Sequence, residues 1–331
     1  MQKAIWLLLD SRGPGGIETH VFQLAQGLQR AARRVKVVFL TDFGQHPLKD
    51  ALAACDMDFA SLDGGFLSLR QALSQERPWL IHTHGYKAGI YGRLAARLAG
   101  VRVVSTYHSG EIGTGRLALY DWLDRHTAGL AKHVFAVSRP IAQRIPHETQ
   151  VLDNFIDTGS LVRSTGHQIA FVGRLSEEKG ADRFLQLARE YPHIMFHLYG
   201  DGPLGASLRA QAPENAIFHG QQNRMDKVWE KIGLLIMPSR YEGLPMAALE
   251  AMGRGIPLIA SHVGALPDFV RNGVNGWLVD QDTPGELKGR TQEWLAMPLR
   301  QREQLCTSAA ETIRRGYSTE AVIPGLLQVY E

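Results

Sequence analysis

Short apolar runs rich in Val, Ile and Leu alternate along this chain with longer stretches in which apolar positions recur every three or four residues. A strand buried on both faces gives the first pattern, and a helix with one buried face gives the second. Their alternation is the sequence form of βαβ units feeding a parallel sheet. Strands are predicted at residues 4–9, 35–40, 80–83, 101–106 and 134–137, and again at 169–172, 195–199, 234–237 and 257–260. Helices are predicted at 18–30, 90–99, 181–190 and 246–254. The pattern restarts after 151–157, where Asn154, Asp157 and Gly159 supply turn chemistry, so a domain boundary is placed there.

A chain of 331 residues has room for two such α/β domains. Its composition, 44% hydrophobic and 21% charged, is that of a globular protein and excludes a fibrous or disordered class. The apolar run at 4–9 is short and ends at Asp10, so it reads as a buried strand rather than a leader. No run is long enough for a transmembrane helix, which points to a cytoplasmic protein, soluble or peripheral on the inner face of the membrane. Cys55 and Cys306 form no metal-type or redox pair, in keeping with a reducing compartment. Residues 1–155 hold 18 Lys and Arg against 13 Asp and Glu, whereas residues 156–331 hold 18 against 20. The basic residues of the first half are scattered without interleaved aromatics, so a nucleic-acid partner is not expected. A peripheral contact of that half with an anionic membrane is left open, beside the reading of its arginines as ordinary helix-end residues.

Polar and glycine-rich residues gather just after the strands, where open α/β sheets bind ligands. The densest group is Ser239-Arg240-Tyr241-Glu242-Gly243-Leu244-Pro245-Met246-Ala247-Ala248-Leu249-Glu250. A strand ends at Pro238 and a helix begins near Met246, so N–H groups around Leu244, Met246 and Ala247 form an anion site at the helix start. Glu250, about one turn in, suits two vicinal ribose hydroxyls, and Glu242 lies in the loop before it. Alone, such a pair of acids is ordinary surface. The segment from Gly173 to Gly180, however, puts Arg174 and Lys179 into one strand-to-helix turn, a fork and a point charge suited to a diphosphate.

In the first half, Gly13-Pro14-Gly15-Gly16 opens a helix without the dinucleotide fingerprint, which disfavours NAD. His108 ends a strand in Thr106-Tyr107-His108-Ser109-Gly110, where an imidazole can bond a sugar hydroxyl or simply serve the fold. His82-Thr83-His84 sets two imidazoles on one strand face, but no third ligand stands out. The triplets Asp56-Met57-Asp58 and Asp280-Gln281-Asp282 fall on connections away from these loops. With Arg174 and Lys179 present, no metal and no cofactor are expected.

These segments, in this order, resemble the retaining GT-B glycosyltransferases of group one, or family four. The likeness rests on V-G-R-L-S-E-E-K-G, Y-G-D-G-P, P-S-R-Y-E-G-L-P-M-A-A-L-E-A-M and A-S-H-V-G-A-L-P-D-F-V in the second half, and on G-G-I-E-T-H-V, T-Y-H and A-V-S in the first. It implies an α/β GT-B fold: two Rossmann-like domains facing across a cleft, with residues 319–331 as a terminal helix crossing back. The domains would be 1–155 with 318–331, binding acceptor, and 156–317, binding the nucleotide sugar. It implies further that Arg174 and Lys179 bind the donor diphosphate with backbone help from Gly15 and Gly16. His108 then touches the transferred sugar, Glu242 lies near its ring hydroxyls and Glu250 holds the ribose. Gly173, Gly200, Gln222, Leu244, Met246 and Ala247 complete the donor set.

Two departures qualify the likeness. Pro245 stands where many members have glycine and lacks an N–H for the donor. The connections 61–69 and 109–119 are short, which leaves the acceptor undefined. The expected reaction is transfer of a hexose from UDP, or secondarily GDP, to an acceptor hydroxyl on a carbohydrate or lipid-linked carrier, in lipopolysaccharide or surface-polysaccharide synthesis. The rivals are a nucleotide-sugar epimerase of the same architecture and a catalytically silent sugar-nucleotide-binding module.

Overall fold

All five residues of Ile5–Leu9 are buried, as a strand in the middle of a sheet covered on both faces requires. This strand, β1, lies in a seven-stranded parallel sheet with β2 (Val35–Phe39), β3 (Asp58–Ser61), β4 (Leu80–His84), β5 (Arg102–Tyr107), β6 (His133–Ala136) and β7 (Gln150–Val151). The order is β3-β2-β1-β4-β5-β6-β7. A second parallel sheet contains β8 (Gln168–Val172), β9 (Phe196–Tyr199), β10 (Ala216–Gly220), β11 (Ile232–Met237), β12 (Leu258–Ser261) and β13 (Gly276–Val279), ordered β10-β9-β8-β11-β12-β13. The computed structural model describes residues 3–13, 15–108, 116–280, 283 and 285–331.

Contacts divide the chain into two units, Met1–Asp157 with Thr319–Glu331, and Thr158–Ser318. Each has its own core. In unit 1, Leu7, Val37, Leu80, Val104 and Phe135 of the sheet pack against Leu24 and Leu28 of the Gly16–Arg30 helix. In unit 2, Phe171, Phe196, Leu234 and Ile236 pack with Phe184, Trp277 and Trp294. In both sheets the order reverses beside the first strand, between β1 and β4 and between β8 and β11. Loops leaving the carboxyl ends of these strand pairs diverge and leave a crevice for a ligand.

Four strands carry no readable apolar run. Residues of β3, β7 and β10 are half-buried or exposed, and β13 is a short Gly-Trp-Leu-Val stretch at the sheet's other edge. An edge strand has one neighbour and less apolar area to bury, so its sequence is freer.

The Thr319–Tyr330 helix belongs to unit 1. Thr319, Ile323, Leu326 and Tyr330 recur on one face and are buried beside the Gly16–Arg30 helix. At its end the Tyr330 hydroxyl meets His82 Nδ1 at 2.6 Å, and Arg102 Nη1 donates to the Tyr330 carbonyl at 3.2 Å. Replacing Tyr330 by Phe leaves a buried imidazole nitrogen without its partner. The expected loss is about 1–3 kcal/mol of unfolding free energy, read as a lower urea midpoint at unchanged slope. An unchanged midpoint would remove this bond from the forces holding the helix.

Candidate functional site

In unit 2 the segment between β8 and the Ala181–Arg189 helix passes directly over the end of β11. Gly180 makes this approach possible. Its φ is +68°, and a Cβ built there would lie 2.1 Å from the Pro238 carbonyl oxygen, so only glycine fits. Gly200 does the same for the turn after β9: with φ at +129°, its Cβ would lie 2.0 Å from the Gly173 oxygen. The Gly173 and Leu175 N–H groups donate to the Tyr199 and Asp201 carbonyls, each at 3.0 Å. Arg240 completes the fastening through both guanidinium nitrogens to Asp182, at 2.9 and 2.6 Å, and its own N–H to the Glu178 carbonyl at 2.7 Å.

This brings Lys179 against Glu242. Lys179 Nζ donates to Oε1 at 2.9 Å and Oε2 at 2.7 Å, while the Ser239 hydroxyl donates to Oε1 at 2.8 Å. The Glu242 side chain is 3% exposed and that of Lys179 30%. The carboxylate thus uses three of about four acceptor positions within the protein, whereas the ammonium has a third N–H still to place. Arg174 is exposed, and together with Lys179 its charge acts on Glu178. Burial favours protonation of Glu178, but the Ser176 hydroxyl, its own N–H and these two cations bring it below the usual range.

The other predicted residues of this unit are placed unevenly. Glu250 is partly buried and accepts from Trp229 Nε1 at 2.8 Å. Burial raises its pKa against the Arg254 charge and the indole bond. Leu244 and Met246 are buried, and Ala247 is half-buried. The first bond of the Met246–Gly253 helix runs from Ala248 N–H to the Pro245 carbonyl at 3.1 Å, so Met246 and Ala247 N–H groups precede it. Gln222 stands apart after the edge strand β10, with its amide turned onto the His219 carbonyl at 2.7 Å. Spacing carried no signal that Trp229 meets Glu250 or that Asp182 clamps Arg240, because each pairing joins distant segments, whereas Ser239 stands three residues before Glu242 in one loop.

In unit 1, Gly15 is the extended N-cap of the Gly16–Arg30 helix, and a Cβ at Gly16 would meet no described atom within 4 Å. His20 lies one turn further in and is fully buried. His84 is the last residue of β4 and His108 follows the paired strand β5, and His84 Nδ1 lies 3.0 Å from His108 Nε2. The His20 ring lies 4.7 Å from that of His108 and 5.4 Å from that of His84. Burial lowers His20 to about 4, opposed by the Asn154 side chain, and holds His82, His84 and His108 well below the imidazole range. His82 is satisfied by Tyr330 and, at 2.7 Å, by Thr106 Oγ1. The pair read from His82-Thr83-His84 is therefore divided: one ring serves the core, and the other joins a triad with His20 and His108 that spacing alone did not reveal. Pro14, Ser109, Gly110, Gln281 and Asp282 lie outside the described residues.

A family model described as glycosyl transferases group 1 matches residues 154–312, and one described as Glycosyltransferase Family 4 matches residues 14–159. The Escherichia coli UDP-Gal:alpha-D-GlcNAc-diphosphoundecaprenol alpha-1,3-galactosyltransferase is 27% identical over 253 residues, which span 65% of this chain and 65% of that protein. An uncharacterized glycosyltransferase of Methanocaldococcus jannaschii is 26% identical over 272 residues, 76% of this chain and 75% of its own. Among solved structures, Anabaena Alr3699/HepE in complex with UDP and glucose matches with a TM-score of 0.86 at 17% identity, over 99% of both chains. The apo form of the lipopolysaccharide outer core galactosyltransferase WaaB matches at 0.74 and 17%, over 98% of both. At such identities the likeness is one of fold, the GT-B architecture of two parallel-sheet α/β domains. Matched in turn by these two models along its two halves, the chain belongs to the group 1, family 4 glycosyltransferases.

Proposed function

We propose that the chain transfers a hexose from a UDP-sugar, with a GDP-sugar as the second choice, to an acceptor hydroxyl with retention and without a metal at the diphosphate. The observation that carries this reading is Lys179, fixed by the buried Glu242 at the β8–β11 reversal with Arg174 exposed in the same turn. As the sugar–phosphate bond breaks, negative charge grows on the leaving diphosphate, and cations already held in place stabilise it without reorganisation. The acceptor oxygen attacks from the face the diphosphate is leaving. Its proton passes to a phosphate oxygen, so no protein nucleophile is needed. Glu242 acts first by orienting Lys179, with one acceptor position left for a sugar hydroxyl. Glu250, oriented by Trp229, holds the ribose, and the Met246 and Ala247 N–H groups face the diphosphate. In unit 1, His108 is assigned to the sugar, and Gly15 and Gly16 to backbone contacts with the donor.

A lipid-linked acceptor in surface-polysaccharide synthesis, met by a cytoplasmic protein at the inner face of the membrane, is the reading we favour. The Escherichia coli relative is named for transfer to a diphosphoundecaprenol-linked sugar. The Arg116–His126 helix supports the same reading by being inside out. Its acids are buried, with Asp124 bound to the buried Arg93 and Asp121 bound to Arg125 at 2.7 Å. Leu119, Tyr120 and Trp122 are 59%, 42% and 50% exposed. The adjoining Tyr86–Ala99 helix contains no acid and exposes Leu94, Arg97 and Leu98. Apolar side chains among cations suit an anionic bilayer surface. No helix among the described residues is long and apolar enough to cross a membrane.

Three outcomes are expected. Lys179→Ala and Arg174→Ala each lower turnover at least tenfold, about 1.4 kcal/mol of transition-state stabilisation, while nucleotide affinity falls less. Steady-state kinetics with a panel of nucleotide sugars, and product analysis with and without acceptor, check this and separate transfer from epimerisation. Wild-type turnover in either variant rejects the assignment. Glu250→Ala raises the donor KM, since ribose is held alike in ground and transition states, and Glu242→Ala lowers kcat. Identical defects in the two would show the roles misplaced. Sedimentation with vesicles should show salt-sensitive binding to anionic but not neutral lipid, weakened by Leu119→Glu and Trp122→Glu together. Indifference to anionic vesicles at low salt would favour a soluble acceptor.

A further inference from the structure

We infer that His20, His84 and His108 form a binding site in unit 1 for one divalent transition-metal ion of the zinc class. One ring nitrogen from each residue lies within 4.8 Å of the other two. A central point is then no more than about 2.8 Å from each nitrogen, against the 2.0–2.1 Å of a zinc–imidazole bond. Small ring rotations close that gap. His84 Nδ1 and His108 Nε2 already face each other across 3.0 Å, sharing a single proton that an ion can replace.

Three further observations favour an ion over a filled core. Among the described residues, Nε2 of His84 and both nitrogens of His20 are buried and make no hydrogen bond of normal geometry, although the Asn154 side chain acts on His20. His108 is half-buried, which leaves a water-accessible side and a fourth position. The three backbones are also rigid: two adjacent strand ends and one helix turn carry the rings. An all-imidazole set selects zinc, nickel or copper over magnesium or calcium. His82 takes no part, since both its nitrogens are engaged.

For transfer, the consequence rests on the role proposed for His108. An ion on one ring nitrogen leaves the other as a fixed N–H donor, settling a tautomer that is otherwise free.

The test uses the tag-free full chain, stripped with a chelator and dialysed. Titration with Zn2+ followed by calorimetry should give one ion per chain, and Co2+ should produce the strong visible absorption of four-coordinate cobalt. His20→Gln and His108→Gln should each weaken Zn2+ binding at least tenfold and abolish that absorption. His108, the more exposed ring, serves where the buried substitution fails to fold. The exposed His197–His219 pair, 3.0 Å apart in unit 2, is the competing site. His219→Gln should leave the cobalt spectrum unchanged. The proposal is overturned if the signal disappears in His219→Gln but persists in His108→Gln, or if the stripped protein binds no Zn2+.

Discussion

The candidate site of unit 2 depends on one constraint, the direct contact of backbone with backbone where Gly180 crosses the end of β11. With any side chain at that position the loop after β8 would stand off from Pro238, and Lys179 would lose its place beside Glu242. The pair cannot form itself. Burying a carboxylate costs several kcal/mol, which its attraction to a lysine offsets only when geometry is fixed in advance. Here the neighbouring backbone fixes it, through Gly180, the Gly200–Gly173 crossing and the Arg240–Asp182 clamp. The resulting cation is partly exposed and its counter-ion buried, 30% against 3%.

The two units repeat one topology yet furnish their strand ends in opposite ways. Unit 2 gathers formal charges that are fixed by hydrogen bonds. Unit 1 gathers imidazoles and keeps them uncharged by burial. Neutral rings at close range do not repel one another, which is why His20, His82, His84 and His108 can crowd into one core. Such a cluster tolerates no proton without rearrangement.

Much of this was legible in the sequence, for reasons that can be named. Central strands such as Ile5–Leu9 and Ile232–Met237 are buried on both faces and must be apolar throughout, so they announce themselves. Edge strands such as Gln150–Val151 bury little and do not. Arg174, Lys179, Glu242 and Glu250 stood out because loops after central strands concentrate polar residues there. That Lys179 and Glu242 bond one another, or that Trp229 meets Glu250, depends on strand order, which brings β8 beside β11 and cannot be seen from spacing. His20 is the clearest case: within its helix it is one polar residue among several, and only the fold places it against rings 64 and 88 positions away.

Unit 1 is discontinuous in the chain, because its core includes Ile323, Leu326 and Tyr330 from beyond unit 2. During synthesis the ribosome must complete all of Thr158–Ser318 before those residues emerge. Unit 2 is contiguous and can fold as soon as it clears the exit tunnel. Unit 1 has to wait, with the apolar side of its Gly16–Arg30 helix uncovered and His82 lacking the hydroxyl that satisfies it. Unit 1 therefore stays incomplete until all of unit 2 has been made, although its sheet comes first in the chain. That interval exposes a sticky surface to chaperones, proteases and other nascent chains. Its length is set by the speed of translation through the second unit rather than by any property of the first.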